Sequence, residues 1–254
     1  MMEPVLTLNT ITKTFRDSEQ NCPALAGVSI DAYPREILCI MGPSGCGKST
    51  LLRIIDGLEQ ADAGTIHIAP GTMAGSLSVA MVFQDPALFP WLSIYENIVY
   101  GLRLAAQKVP EDEVNERATA LLALTHLDSF AHSYPHQLSG GMQQRVAVAR
   151  ALAVTPQVLL MDEPFSALDT FTRRELEDEV IRIRDGMKTT IIMVTHNPEE
   201  AVYIADRIII LSERPAVVSE VLPVDLPHPR DPAGPEFIRI RELVTRRVLG
   251  KPDP

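Results

Sequence analysis

With 254 residues, of which 46% are hydrophobic, the chain is long enough for one large α/β domain or two small ones and too apolar to be disordered. Its net charge of −10 disfavours a bulk nucleic-acid binder, although a local basic patch stays possible. The apolar runs are shorter than the roughly 18 residues that span a bilayer, and three cysteines without paired spacing indicate a reducing cytoplasm rather than a disulfide framework.

The N-terminal third of the chain predicts strands followed by a phosphate-binding turn. Residues 5–9 and 28–32 alternate with period two, as half-buried strands do. ILCIMG at 37–42 is almost continuously apolar, which is typical of a buried parallel strand, and a helical run follows from Ser49. Residues 65–68 and 77–83 predict further strands, separated by a glycine-rich turn.

The middle of the chain is mainly helical and the remainder alternates between strand and helix. Helices are predicted over 94–105 and from Pro110 to about 127, so 86–156 is expected to be a helical insertion. Strands at 158–162, 189–196 and 206–211 then alternate with helices at 171–186 and 197–205. This order predicts a parallel sheet with helices on both faces, followed by an edge strand at 216–224, a proline-rich connector and a closing helix at 235–250.

GPSGCGKST is a complete G-x-x-x-x-G-K-[ST] phosphate loop between a predicted strand and a predicted helix. Lys48 is expected to reach the β- and γ-phosphates, and Ser49 to bind Mg²⁺. Backbone N–H groups from Gly45 to Thr50 are expected to surround the β-phosphate. Cys46 either fills a variable position of the loop or exposes the site to thiol reagents. The predicted binding residues here are Gly42, Pro43, Ser44, Gly45, Cys46, Gly47, Lys48, Ser49 and Thr50.

A second anion-binding helix start is predicted at LSGGMQQRVAVARAL, residues 138–152. Ser139, Gly140 and Gly141 precede a strongly helical run, and a helix start offers unpaired N–H donors and the positive end of the helix dipole. One nucleotide rarely needs two such cradles from one chain. The pair therefore suggests a nucleotide held between two copies of the chain.

Polar residues at three predicted strand ends complete the candidate site. Asp162 and Glu163 end the strand at 158–162, where α/β sheets bind ligands, so Asp162 is a candidate Mg²⁺ ligand and Glu163 a candidate for polarising the attacking water. His196 could contact the γ-phosphate or hold the water. Gln84 could touch both metal and water. Each of these residues alone would be an ordinary surface group.

The ordered set GPSGCGKST, VFQD, LSGGM, LLMDEP, SALD and TH resembles that of ATP-binding cassette ATPases over nearly the whole chain. The resemblance implies a P-loop NTPase (RecA-like) α/β core with an antiparallel β subdomain and an inserted α-helical subdomain. It implies two cassettes closing head to tail around ATP and Mg²⁺, with Ser139, Gly140 and Gly141 contacting the nucleotide of the partner. Asp169 would couple the two sites, and Phe15 matches the aromatic that stacks on adenine. A core or edge-strand role for Phe15 is an alternative.

The resemblance also implies an organisation and partners. It implies one domain, 1–254, with a core at 1–85 and 157–228, a helical signature subdomain at 86–156 and a tail at 229–254. DPALFPWLSIYENIVYGL and the proline-rich tail resemble importers of nitrate, taurine and aliphatic sulfonates. The expected partners are transmembrane permease subunits, a second cassette and, indirectly, an extracytoplasmic solute-binding protein, with the chain peripheral on the cytoplasmic membrane face. The departures are Met142 in the signature and Arg35 before Glu36.

Two other functions of the chain are alternatives to that of an importer ATPase. A soluble cassette protein acting on nucleic acid or the ribosome is disfavoured by one cassette, no heptad run and an acidic charge balance. A small-molecule kinase is disfavoured by the LSGGM segment and by His196.

Overall fold

The computed structural model of the protein describes residues 3–16, 21–69, 78–104 and 109–250. The predicted glycine-rich turn and the start of the strand predicted from 77 lie outside them. The strands are β1 (Leu6–Arg16), β2 (Asn21–Ala32), β3 (Ile37–Met41), β4 (Ala63–Ile68), β5 (Val79–Val82), β6 (Val158–Asp162), β7 (Thr190–Val194), β8 (Arg207–Leu211) and β9 (Val218–Pro223). The α-helices are α1 (Lys48–Ile55), α2 (Ile94–Leu104), α3 (Glu111–Leu124), α4 (Gly140–Ala153), α5 (Thr170–Met187), α6 (Pro198–Ile204) and α7 (Pro235–Val248).

The chain forms two compact units. The first comprises Met1–Ile68 and Thr190–Pro254, and the second comprises Ala69–Thr189. The helical insertion predicted at 86–156 falls within the second unit. The finer boundaries predicted at 85, 157 and 228 stay predictions.

The first unit holds an antiparallel sheet and a mainly parallel one. The antiparallel sheet has the order β2-β1-β4. In the other, β3 lies between β7 and β8 and is parallel to both, and β9 pairs antiparallel with β8. Every residue of β3 and β7 is buried, which explains why these strands read as unbroken apolar runs. The parallel strand pairing and the edge strand predicted from sequence are both confirmed.

The strands of the antiparallel sheet are longer than the sequence predicts. β1 continues to Arg16 and β2 begins at Asn21, whereas alternation predicts strands at 5–9 and 28–32 only. A bulge at Thr10, with φ 48°, breaks the period-two pattern of β1. Gly64 of β4 lies against this bulge, since a Cβ there would approach Asn9 O to 2.6 Å.

The second unit joins a parallel strand pair to four helices. β5 runs parallel to β6, and α2, α3 and α4 pack on one another. The helix predicted from Pro110 is confirmed as α3, which buries Val114, Ala118, Leu121 and Leu122 at helical spacing. α4 packs in turn on α5.

The contact between α4 and α5 contains a carboxylate whose ionisation costs stability. Glu179 is buried, and its Oε2 lies 3.5 Å from Arg145 Nε. Burial raises the pKa of Glu179 to about 7 from the ordinary 4.5, against the opposing effect of Arg145 and Arg182. A raised carboxyl pKa means that the folded state favours the neutral form. The stability that neutral Glu179 contributes is therefore complete below pH 4.5 and lost as pH rises through about 7.

We expect Glu179→Gln to raise the melting temperature above that of the unmodified protein by about 2–4 °C at about pH 8. The gain should shrink at about pH 5, where the carboxyl of the unmodified protein is itself mostly neutral. Thermal unfolding at the two pH values measures both effects. Glu175→Gln is the matched control, because Glu175 also pairs with Arg145 but is exposed. An equal gain at both pH values would contradict the assignment.

Candidate active site

The phosphate loop joins β3 to α1 through glycines that no other residue could replace without strain. Gly45 has φ 73°, and Gly47, the N-cap of α1, has φ 123°. A Cβ at Gly42 would approach Leu211 O to 2.8 Å, and one at Gly47 would approach Leu25 Cδ2 to 2.9 Å. The loop is thus packed closely on its outer side. Its backbone N–H groups and the start of α1 form a cradle that fits a phosphate.

Lys48 lies inside this cradle. Its side chain belongs to the first residue of α1 and is almost fully buried, with 6% exposure. The Nζ donates hydrogen bonds to Gly42 O and to Pro43 O, each at 2.9 Å. The ammonium group is therefore held across the loop, where a bound phosphate would meet it.

Cys46 is a buried residue of the loop rather than a reactive surface thiol. It is 2% exposed, and its N–H donates to Pro43 O at 3.2 Å, closing the turn. Burial raises the pKa of the Cys46 thiol, although the Lys48 charge opposes the shift. The thiol is thereby held neutral, which favours the space-filling interpretation over attack by thiol reagents. Ser49 and Thr50 follow in the first turn of α1, both half-buried.

Phe15 occupies a place that suits an adenine contact. It pairs with Cys22 at the end of the sheet, and its ring is 38% exposed with Lys13 Nζ 5.3 Å from the centroid. Leu25, which contacts Gly47 of the phosphate loop, lies three residues along β2 from Cys22, or about 10 Å. The exposure excludes a core position for this ring, and the adenine contact and the edge-strand role both stay predictions.

His196 and the phosphate loop line one pocket of the first unit. His196 follows β7 and is exposed, and the pocket of about 620 Å³ also includes Gly42, Pro43 and Ser44. The structure thus brings together two motifs that are separated by about 150 residues of sequence. Their shared pocket is compatible with a histidine that contacts a terminal phosphate.

Asp162 and Glu163 occupy the end of β6 in the second unit. Asp162 is buried and Glu163 half-buried. Glu163 has φ 47°, a left-handed conformation that is uncommon outside glycine. Such strain costs of order 1–3 kcal/mol and clusters at functional sites, where it aims a side chain that ordinary strand geometry would direct elsewhere.

Gln84 is connected to the Glu163 turn through Ser166. Gln84 Nε2 donates to Ser166 Oγ at 3.2 Å, and Ser166 Oγ donates to Glu163 O at 3.0 Å. The same carbonyl accepts from Ser166 N at 3.2 Å. Two of the predicted catalytic residues are therefore joined by a hydrogen-bonded serine, Ser166, for which the sequence holds no local signal.

The signature segment, residues 138–142, forms the start of α4. Its two glycines, Gly140 and Gly141, have different surroundings. Ser139 is the N-cap, and its Oγ accepts a long 3.4 Å bond from Met142 N. A Cβ at Gly141 would lie 2.4 Å from Thr172 Cγ2, whereas one at Gly140 would meet nothing within 4 Å. Gly141 thus permits α4 to pack on α5, and Gly140 presents an open, exposed helix start that fits an anion.

Asp169 caps the helix against which the signature packs. Its Oδ1 accepts from the N–H groups of Phe171 and Thr172 at 3.1 Å, and its Oδ2 accepts from Thr172 Oγ1 at 2.7 Å. These hydrogen bonds, that of the Thr172 hydroxyl first, lower the pKa of Asp169. The carboxylate is ionised and fixed beside the signature. Coupling of two sites by Asp169 stays a prediction.

Arg150, a half-buried residue for which the sequence holds no local signal, positions the loop after Gln84. Arg150 of α4 donates to Ala87 O and Pro86 O, both at 2.9 Å, and its guanidinium lies 5.6 Å from the Phe89 ring centroid. A helical repeat alone cannot distinguish such a residue from a surface arginine, because its acceptors are 63 and 64 residues away.

The candidate metal ligands are oxygen donors of the kind that Mg²⁺ prefers. Among the described residues, no group of three or more His, Cys, Asp or Glu side chains could hold a metal. Ser49, Asp162 and Gln84 carry a hydroxyl, a carboxylate and an amide oxygen, and their roles as metal ligands stay predictions. Across the same described ranges, no helix combines the length and apolarity needed to cross a bilayer.

Comparison with known proteins shows which family carries this set of motifs. Residues 25–166 match the family described as ABC transporter. The chain is 40% identical over 245 residues to the aliphatic sulfonates import ATP-binding protein SsuB of Bacillus subtilis (strain 168), covering 94% of this chain and 92% of the relative. It is 42% identical over 255 residues to the sulfate/thiosulfate import ATP-binding protein CysA of Methylococcus capsulatus, covering 96% and 71%.

A solved structure with the same fold is a dimer. It is described as a post-hydrolysis state of the ATP-binding cassette MJ0796 bound to ADP and Pi. The TM-score is 0.75 at 32% identity, with 87% of this chain and 99% of the other covered. The α/β P-loop NTPase fold that the sequence predicts is confirmed by this similarity.

Proposed function

The chain belongs to the ABC transporter family as an ATPase that hydrolyses ATP to drive transport, and we propose that it powers the import of nitrate, a sulfonate, taurine or a similar small solute. The observation that carries the proposal is the near full-length 40% identity to a sulfonate import ATPase, together with a complete set of nucleotide motifs. We infer a place on the cytoplasmic membrane face, where the chain is peripheral.

In the proposed mechanism, the phosphate loop holds ATP by its triphosphate. Lys48 contacts the β- and γ-phosphates, and the N–H groups from Gly45 to Thr50 surround the β-phosphate. Ser49 and Gln84 would hold Mg²⁺, and Asp162 would either bind the ion or orient a group that binds it. When bound, the ion neutralises charge that develops on the phosphate oxygens.

Two side chains act on the attacking water, and a third contacts the γ-phosphate. Glu163 accepts a proton from the water as it approaches the γ-phosphorus, and the strained backbone at this residue supports that assignment. Gln84 orients the water through its amide. His196 holds the γ-phosphate from the side of the shared pocket. The products are ADP and phosphate.

Hydrolysis requires a second cassette in this proposal. The open helix start at Gly140 and the Ser139 side chain bind the γ-phosphate of the nucleotide held by Lys48 of the second copy. ATP binding thereby closes a head-to-tail dimer, and hydrolysis reopens it. The dimeric cassette of 32% identity supports this arrangement.

An aromatic surface after Gln84 is suited to contact a permease. Trp91 is 70% exposed, and the Phe89 ring lies 5.7 Å from that of Trp91 and 4.4 Å from that of Tyr100 between centroids. Exposed aromatic clusters favour protein interfaces. Because Arg150 fixes this loop directly after Gln84, a movement of the permease would reach the catalytic residues through it.

We expect Trp91→Ala to leave the ATPase rate of the isolated chain within about twofold but to lower affinity for permease-containing vesicles about 10-fold or more. The reason is that a central aromatic in an interface often supplies 1–2 kcal/mol or more. Co-sedimentation with the vesicles measures affinity, and Trp91→Phe should restore most of it. Equal binding by Trp91→Ala would show that Trp91 lies outside the interface.

Uptake into vesicles tests the transported solute. The chain, its permease and its solute-binding protein are assembled, and ATP-dependent accumulation of labelled taurine, an alkanesulfonate, nitrate and sulfate is compared. Accumulation of one of the first three supports the proposal. Accumulation of sulfate alone would reassign the solute while leaving the ATPase role intact.

A further inference from the structure

Phe171 is an aromatic residue exposed at the start of a helix. It is 74% exposed, and its N–H donates to the capping carboxylate of Asp169. The backbone of Phe171 is therefore fixed in the first turn of α5 while its ring projects into solvent. Isolated exposed apolar residues are common, so the surroundings of this ring must decide whether it has a role.

The surroundings of Phe171 are those of the signature segment. Thr172, the next residue, contacts Gly141, where a Cβ would lie only 2.4 Å away. The start of α5 and the start of α4 are thus packed together. Phe171 is therefore the chain neighbour of a residue that packs on the signature segment.

The first unit carries a pocket beside its phosphate loop that could accept an aromatic ring. This tail pocket is the pocket of about 620 Å³ that His196 shares with the loop residues 42–44, and it is also lined by residues 210–213, Ser219 and residues 247–250 at and beyond the end of α7. Val248, which is half-buried, and Leu249, which is 60% exposed, give it an apolar wall at the end of α7. The ion pair of Arg247 Nε with Glu220 Oε2, at 2.8 Å, fixes the end of α7 to β9.

We propose that Phe171 of each cassette inserts into the tail pocket of a second copy of the chain. The inference rests on the proposed head-to-tail pairing, in which the signature of one copy covers the phosphate loop of the other. Ser44 belongs to both that loop and the tail pocket, so the pocket continues the surface that the signature covers. In the second copy, Phe171 lies beside the signature residue Gly141 through its neighbour Thr172.

Symmetry favours a second copy as the occupant. Each chain carries one Phe171 and one tail pocket, so a two-fold dimer makes the contact twice and leaves neither exposed. A phenyl ring buries about 150–250 Å² when fully covered, so two such contacts would add substantially to an ATP-bridged interface. α7 then takes part in the catalytic dimer as one wall of the receiving pocket.

ATP-driven dimerisation of Glu163→Gln tests the proposal. Adding Phe171→Ala should weaken the dimer about 10- to 100-fold in dissociation constant by analytical ultracentrifugation, with ATP binding to each chain unchanged. Phe171→Leu should recover part of the loss. The matched control is Leu104→Ala, which removes another exposed apolar side chain, 68% exposed at the end of α2, and should change nothing.

Cysteine cross-linking locates the contact. In a Cys22→Ser background, Phe171→Cys combined with Leu249→Cys should form an intermolecular disulfide with copper phenanthroline only when ATP is present. Leu104→Cys with Leu249→Cys should not. If Glu163→Gln dimerises but Phe171→Ala has no effect and no cross-link forms, the inference is wrong and the proposed function stands. If Glu163→Gln fails to dimerise with ATP, the proposed pairing fails and the inference with it.

Discussion

Glu163→Gln is expected to bind ATP like the unmodified chain but to hydrolyse it about 10²–10⁴-fold more slowly. Glutamine has the shape of glutamate but cannot accept a proton from the attacking water. The strained backbone at residue 163, with φ 47°, holds either side chain in the same place, so binding should survive. Fluorescent-nucleotide titration and phosphate release measure the two properties separately.

Trapping of a dimer is the second consequence of the same variant. Because ATP is bound and not cleaved, the closed state should persist, and gel filtration with ATP should show twice the mass of the monomer. Glu175→Gln, the same change at an exposed residue of α5, should behave like the unmodified chain. Normal turnover by Glu163→Gln would remove Glu163 from the role of base.

Ser139→Arg should nearly abolish hydrolysis while ATP still binds at Lys48. The arginine side chain would fill the open space over Gly140 where the phosphate of the second copy belongs. We expect a loss of about 10²-fold or more, as for removal of a transition-state contact. Folding should be little affected, because Ser139 is exposed and caps α4 through one hydrogen bond of 3.4 Å.

The comparison with Ser139→Ala separates bulk from lost hydrogen bonding. Alanine loses the hydroxyl but leaves the space open, so its hydrolysis rate should fall between those of the unmodified chain and Ser139→Arg. Equilibrium dialysis with ATP, run on both variants, supplies the binding measurement. Loss of ATP binding in Ser139→Arg would mean that Ser139 serves the nucleotide of its own chain, contrary to the head-to-tail arrangement.

The parts of the fold that sequence predicts well are those whose residues are buried on both faces. β3, β6 and β7 are buried throughout, so their apolar runs needed no knowledge of their neighbours. The phosphate loop is equally predictable from sequence, because close packing at Gly42 and Gly47 requires glycine there. Local requirements of this kind leave a pattern in consecutive residues.

Features that depend on distant partners left no such pattern. The length of β1 was underestimated because the bulge at Thr10 is accommodated by Gly64, on another strand. Ser166 joins Gln84 to the Glu163 turn across 82 residues of sequence. Phe171 looked like an ordinary helix residue, and only its exposure beside the signature distinguishes it.

The two hydrogen bonds that Lys48 donates to loop carbonyls have a consequence for nucleotide affinity. A buried ammonium without acceptors would be costly, but here Gly42 O and Pro43 O solvate it within the protein. When ATP binds, phosphate oxygens therefore replace the carbonyl oxygens as acceptors of the Lys48 hydrogen bonds. The ammonium group has polar partners both before and after binding. The affinity gained at this lysine reflects the difference between phosphate and carbonyl oxygens, rather than the whole attraction between a cation and an anion.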